Sequence, residues 1–166
     1  RALLKQGEAV IKAGLAVSPA KSDLVAVAFT LGQLLRDKAD AARASAAARM
    51  AAGLLEASQR RTPGTARLAC AKGCGSCCHS WVGATAPEIF LLAQALRADA
   101  ARRPGEIARV VAASRVTAGL PAQERFGAKL PCPLLVDNAC SRYRERPAVC
   151  RQVTSLDLSA CLEEYE

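Results

Sequence analysis

Apolar residues recur at helical spacing through the first half of the chain. Over residues 2–16, Leu3, Leu4, Gly7, Val10, Ile11, Gly14 and Leu15 follow the i, i+3, i+4, i+7 rule, with Lys5, Glu8 and Lys12 off the stripe. The pattern predicts an amphipathic helix that stops at Ser18-Pro19, because the residue before a proline is pushed out of helical geometry. Glycines inside the stripe cost about 1 kcal/mol each against Ala, which makes sense where a partner helix comes close. Residues 20–60 carry the longest periodic run: Leu24, Val27, Ala28, Leu31, Leu34, Leu35, Ala39, Ala42, Ala46, Met50, Gly53, Leu54 and Ala57 form one seam. It reads as one very long helix or two helices meeting near Asp37–Asp40. Packing within a helical bundle is the favoured use of this seam; a protein partner or a homodimer through residues 20–60 is the other. Arg60-Arg61-Thr62-Pro63-Gly64 ends the run. It divides a helical hairpin or extension, 1–62, from a second unit, 66–166.

In that second unit Thr85-Ala86-Pro87-Glu88 fits a capping box, with proline tolerated in the first turn. Ile89, Leu92, Ala93 and Leu96 then give the expected buried face. A break at Arg102-Arg103-Pro104-Gly105 precedes a helix from Glu106 to about Ala118, with Ile107, Val110, Val111 and Ser114 expected inward. Gly119-Leu120-Pro121 ends it. Leu134-Leu135-Val136, the turn signal Asp137-Asn138 and Cys140-Ser141-Arg142-Tyr143 predict a short β-hairpin near 134–143. Arg146-Pro147 opens a short turn or helix that presents Cys150. The fold class is therefore mainly α: a helical bundle with a small, irregular, cysteine-rich subdomain.

Cysteine usage changes the picture. Of 166 residues eight are cysteine, all in the second half: Cys70, Cys74, Cys77, Cys78, Cys132, Cys140, Cys150 and Cys161. Small disulfide scaffolds are loop-rich, and a strongly helical cysteine-free half fits them poorly. Metal ligation is the preferred reading, with free cysteine as a buried hydrophobe the bland one. An all-thiolate set excludes magnesium and calcium, which take oxygen, and leaves an iron–sulfur cluster, zinc and, less favoured, Cu(I). Neighbouring side chains diverge, so Cys77 and Cys78 are not expected to serve one tetrahedral ion. They suit a cluster, with [4Fe–4S] the leading form, or two ions. Gly73 and Gly75 bracket Cys74 and predict a tight loop around the metal. His79, the only histidine, is expected beside the ligands rather than among them.

The formal charge of +8 counts every cysteine as neutral, and thiolates would offset much of it. With scattered basic residues and only 4% aromatics, nucleic acid is not the expected partner. Lys72, Arg142, Arg144, Arg146 and Arg151 lie close to cysteines in sequence. They can donate to thiolates or form an ordinary solvated basic face. Trp81 is expected to shield the site. No apolar run reaches the ~20 residues of a membrane span, and a cytoplasmic location is expected.

Cys74-Gly75-Ser76-Cys77-Cys78, with Cys132-Pro133-Leu134-Leu135, Cys140-Ser141-Arg142-Tyr143 and Arg146-Pro147-Ala148-Val149-Cys150-Arg151 downstream, resembles the YkgJ-type cysteine-cluster family, the CxxCxxCC zinc- or iron-chelating domain. The likeness covers about residues 68–161. Three residues rather than two separate Cys70 from Cys74, so the role of Cys70 departs from the family's spacing. The resemblance implies an eight-cysteine metal-binding module with a structural, redox or metal-handling role. An enzyme or enzyme accessory, as in protein-lysine methylation, is the alternative, although no catalytic constellation is visible. A helical interaction protein with a structural metal is a third.

Overall fold

The computed structural model describes residues 42–62, 64, 67–71 and 73–165, with the single positions 32 and 36. The helix expected over 2–16, its stop at Ser18-Pro19 and the seam from Leu24 to Ala39 lie outside the described residues. Among the described residues the chain is mainly helical with one two-stranded sheet, as its patterning predicts.

Helix α1, Arg43–Arg61, is built from strong helix formers and carries Arg60 and Arg61 in its last turn, where cations complement the helix dipole. It ends at extended Thr62, before Pro63, where the sequence predicts. Ser45, Ala47 and Ala48 are its buried residues, and their small side chains let α1 lie closely along α2, Ala86–Ala98. Gly53 of the expected seam is exposed. Leu91 of α2, 3% exposed, completes the apolar core with Ala47 and Ala48 among the described residues.

Two predicted faces are corrected. In α2, Leu91 rather than Ile89 is buried; Ile89 is 51% exposed, while Leu92, Ala93 and Leu96 are half-buried. Polar bonds set this rotation. The line Glu88, Leu91, Ala95, Asp99 faces inward because Glu88, the Ala95 carbonyl and Asp99 all take hydrogen bonds from the C-terminal segment. Helix α3, Arg103–Thr117, starts three residues earlier than expected, with Pro104 in its first turn. Its buried residue is Glu106, with Ala113 and Thr117 half-buried on the same line. Ile107, Val110, Val111 and Ser114, expected inward, are exposed. Amphipathic spacing marks a stripe, but the anchored carboxylate decides which stripe turns inward.

A short helix α4, Ala122–Gly127, follows Pro121. The hairpin pairs β1, Leu135–Val136, with β2, Ala139–Cys140, antiparallel, Leu135 opposite Cys140. Asp137 and Asn138 both have positive φ, 48° and 58°, as the primed two-residue hairpin turns require. The second strand is shorter than expected, since residues 141–145 already turn. Helix α5, Ala148–Gln152, presents Cys150 as anticipated. Helix α6, Leu158–Tyr165, which the patterning missed, packs against the 3-10 turn Ser76–His79. Asp157 starts α6 by accepting the Ser159 N–H at 2.8 Å. Among the described residues no helix is long and apolar enough to cross a membrane.

Candidate metal centre

The first cysteine group is a loop, as its glycines predict. The Cys74 N–H donates to the Ala71 carbonyl at 3.1 Å, and Gly73, third in this turn, has φ +99°, where glycine carries no Cβ penalty. Gly75 has a different role. A Cβ there would meet the Asn138 side-chain oxygen, Leu135 Cδ1 at 3.0 Å and the Asn138 carbonyl at 3.1 Å. The missing side chain lets the hairpin turn press against the cysteine loop. The 3-10 turn then follows, with the Cys78 N–H on the Gly75 carbonyl at 2.9 Å.

Downstream thiols are delivered to this turn one segment at a time. The Cys132 N–H donates to the Cys78 carbonyl at 2.7 Å, and the Leu135 N–H donates back to the Cys132 carbonyl at 2.9 Å. The Cys132-Pro133-Leu134-Leu135 block is thus a turn docked on Cys78. Arg109 of α3 holds it from outside, donating to the Pro133 carbonyl at 2.9 Å. Cys140 closes β2.

Cys150 is placed by two residues remote in sequence. Glu88 uses one oxygen for its own capping box, accepting the Thr85 N–H at 2.7 Å, and the other for the Ala148 N–H at 2.6 Å, at the start of α5. One carboxylate therefore holds two helix N-termini. Burial pushes Glu88 up, but the N–H groups of Ala148 and Thr85 outweigh it and leave the carboxyl below its ordinary value. On the next turn Arg151, 3% exposed, pairs with Glu56 of α1 and donates to the Arg144 carbonyl and, at 3.0 Å, to the Arg146 carbonyl. Gln59 of α1 donates to the Arg151 carbonyl at 2.7 Å.

Arg142 is the second buried guanidinium, 6% exposed. It forks onto both oxygens of Glu106, which is 1% exposed, and reaches the Ala95 carbonyl at 3.3 Å and Asp99 at 3.4 Å. Burial pushes the Glu106 carboxyl up, yet the guanidinium outweighs it and the group lies below its ordinary value. Arg142 and Arg151 are therefore neither a solvated basic face nor thiolate donors. They are struts that fix the loops before and after Arg146. The spacing of their cysteine blocks carried no sign of this, because the carboxylate partners lie 36 and 95 residues away.

All eight cysteines are free thiols, and five are linked by electrostatic interaction: Cys78 with Cys77, Cys132 and Cys140, Cys140 with Cys132, and Cys150 with Cys77, Cys132 and Cys140. Cys77 and Cys78 sit side by side on the 3-10 turn. The neighbouring Cys78 thiol is the main reason Cys77 falls to about 6, against the opposing effect of burial and with help from its own backbone, Arg146 and His79. Cys78 is raised by its neighbour Cys77, by burial and by the charges of Cys132 and Cys140. Burial pushes Cys150 up to about 11, aided by Cys132, Cys140 and Cys77, and it raises Cys140 as well. Burial and neighbouring cysteines thus hold Cys78, Cys140 and Cys150 as thiols, and a bound cation would favour their ionisation.

The remaining three thiols occupy adjoining segments. Cys74 shares the loop, its Sγ 4.0 Å from the Ser76 hydroxyl. Cys161 is half-buried on α6, the helix packed on the 3-10 turn. Cys70 is exposed and its Sγ accepts the Ser155 N–H at 3.1 Å. His79 places Nδ1 3.2 Å from the Ser76 carbonyl. Trp81, expected as a shield, is 52% exposed. Among the described residues no three Cys, His, Asp or Glu side chains are already gathered as a finished ligand set. The donor chemistry nonetheless fits a thiophilic metal, since the candidate ligands on these adjoining segments are sulfur.

Sulfur donors carried on adjoining segments of a helical frame are what this geometry shows. Residues 69–164 match the family model described as "CxxCxxCC: Putative zinc- or iron-chelating domain". The match spans more than half of the chain, which belongs to that family. Neither the curated proteins nor the solved structures give a significant match.

Proposed function

We propose that this protein holds an iron–sulfur cluster through its cysteines, within a domain of about residues 66–166. The convergence of Cys77, Cys78, Cys132, Cys140 and Cys150 carries this reading. Four separate segments carry those thiols, with the Cys132 backbone bonded to Cys78 and Cys150 interacting electrostatically with Cys77, Cys132 and Cys140. Cys74 and Cys161 adjoin the group, and Cys70 stands at its exposed margin. Adjacent thiols on one 3-10 turn can each serve a different iron of a cluster, whereas a single tetrahedral ion needs its four ligands spread apart. Zinc is the second reading, favoured by more thiols than one [4Fe–4S] cluster needs.

The centre would supply cross-linking of distant segments and, if iron–sulfur, electron transfer. Protein purified without oxygen and assayed for metal decides the matter. Brown protein with broad visible absorption and about four irons per chain is the expected result. Colourless protein with stoichiometric zinc would establish the second reading instead. Chain that retains neither metal refutes both.

A further inference from the structure

Helix α5 is five residues long, too short to be stable by itself, yet it carries Cys150. Whatever holds this helix therefore decides where that thiol sits. At its start Glu88 of α2 accepts the Ala148 N–H at 2.6 Å. At its other end the helix does not continue. The amide four residues beyond Arg151 belongs to Ser155, and it donates to Cys70 Sγ at 3.1 Å instead. The Arg151 carbonyl is thus left without a helical donor, and Gln59 of α1 supplies one from Nε2 at 2.7 Å.

The side chain of the same residue turns to α1 as well. Arg151 Nη1 pairs with Glu56, the carboxylate that forms its ion pair among the described residues. Its other bonds go to the Arg144 and Arg146 carbonyls, which carry no charge to balance it. Glu88 feels the Arg151 charge too, but its oxygens are already taken by Thr85 and Ala148. With its side chain 2% exposed, Arg151 stripped of Glu56 would be a buried charge without a bonded counter-charge. Glu56 and Gln59 lie three residues apart, on one face of α1. That face grips a single residue of α5 by main chain and side chain, next to Cys150. Helix α1 ends at Arg61, before the family segment begins at residue 69.

We infer that Glu56 and Gln59 are positioning residues of the metal centre, which through Arg151 fix α5 and with it Cys150. The unit that binds metal then includes α1 as well as residues 66–166. The inference rests on the reading of Cys150 as a ligand, and goes beyond it by adding a helix that carries no cysteine. A ligand whose support is already fixed loses less freedom when the metal binds.

The test uses the full chain, purified without oxygen, and the variants Glu56→Gln and Gln59→Ala. Hydrogen exchange read by mass spectrometry over residues 148–153 is expected to run about two- to tenfold faster in both, with the hairpin at 135–140 unchanged. Cobalt(II), titrated against a competing chelator, is expected to bind each variant about tenfold more weakly, as when a group that orients a ligand is lost. On a Cys150→Ser background the same two changes are expected to cost no further affinity, since the thiol they position is gone. A general loss of stability would instead weaken binding equally on both backgrounds. Unchanged exchange over α5 in both variants overturns the clamp. Faster exchange with wild-type cobalt affinity, or losses of equal size on the two backgrounds, overturns the positioning role. Should Glu56→Gln fail to fold by circular dichroism, Gln59→Ala, which removes one hydrogen bond and no charge, decides by the same readouts. Cys150→Ser that binds cobalt as tightly as the wild type overturns the reading of Cys150 as a ligand, and this inference with it.

Discussion

Removing Glu106 should do more damage than any other single carboxylate change in the described fold. The side chain is 1% exposed, and its partner Arg142 is 6% exposed. Two of the hydrogen bonds from Arg142 Nε to the Glu106 oxygens measure 3.0 Å, and the Nη2 bond is shorter. Deleting one partner of such a pair costs about 3–5 kcal/mol, because the other charge stays buried without compensation. Asp99, 3.4 Å from Arg142 with its side chain 22% exposed, can take up part of the stranded charge. Glu106→Ala is therefore placed near the lower end, about 3 kcal/mol, and Glu106→Gln lower still, since its amide oxygen can accept one bond. Against a total stability of about 5–15 kcal/mol, even that loss is large. The assay is urea unfolding followed by circular dichroism at fixed metal content, for both single variants and the double Glu106→Met/Arg142→Met. The double variant should cost much less than the sum of the singles, since it leaves no unpaired charge. The folded-state carboxyl lies below its ordinary value of 4.5. Its contribution is therefore complete above that pH and is lost as pH falls through the depressed folded value. Single variants that each cost under about 1 kcal/mol, with no coupling between them, would show that the pair behaves as a surface ion pair and refute the strut.

Three further outcomes follow from the geometry. Gly75→Ala should lower stability by about 1–3 kcal/mol, because one of the atoms it meets is the Asn138 backbone carbonyl, which cannot swing aside; thermal melting reads this, and Asn138→Ala should restore only part of it. Glu88→Gln should cost about 0.5–2 kcal/mol by weakening the hold on two helix N-termini, and the wild-type advantage should fade as pH falls below 4.5, since the folded carboxyl is depressed from that value. Cys140→Ser should reduce retained metal more than Cys70→Ser does, because Cys140 lies among the electrostatically linked thiols while Cys70 is exposed and bonded to Ser155; equal losses by elemental analysis would contradict that ordering.

Legibility in the sequence followed the range of the interactions. The capping box at Thr85–Glu88, the end of α1 before Pro63 and the turn at Asp137-Asn138 are each set by residues a few positions apart, and each is found where the pattern places it. The cysteine loop was readable for the same reason. The inward face of α3 was not. A stripe of Ile107, Val110 and Val111 looks like a core, while Glu106 beside it looks like solvent-facing charge until Arg142 is brought to it from 36 residues away. Arg151 was hidden in the same way, its carboxylate being 95 residues distant.

The double attachment at Glu88 bears on how far this module could be trimmed. Residues 80–131 contain no cysteine and could pass for a spacer between two halves of a metal site. Yet the start of the helix that carries Cys150 hangs on a carboxylate from within that span. A miniature made by splicing the cysteine-bearing pieces through a flexible linker would keep the thiols and lose the bracket that aims one of them. The shortest autonomous version of the module therefore includes the cysteine-free interval, whose length is a structural requirement rather than slack.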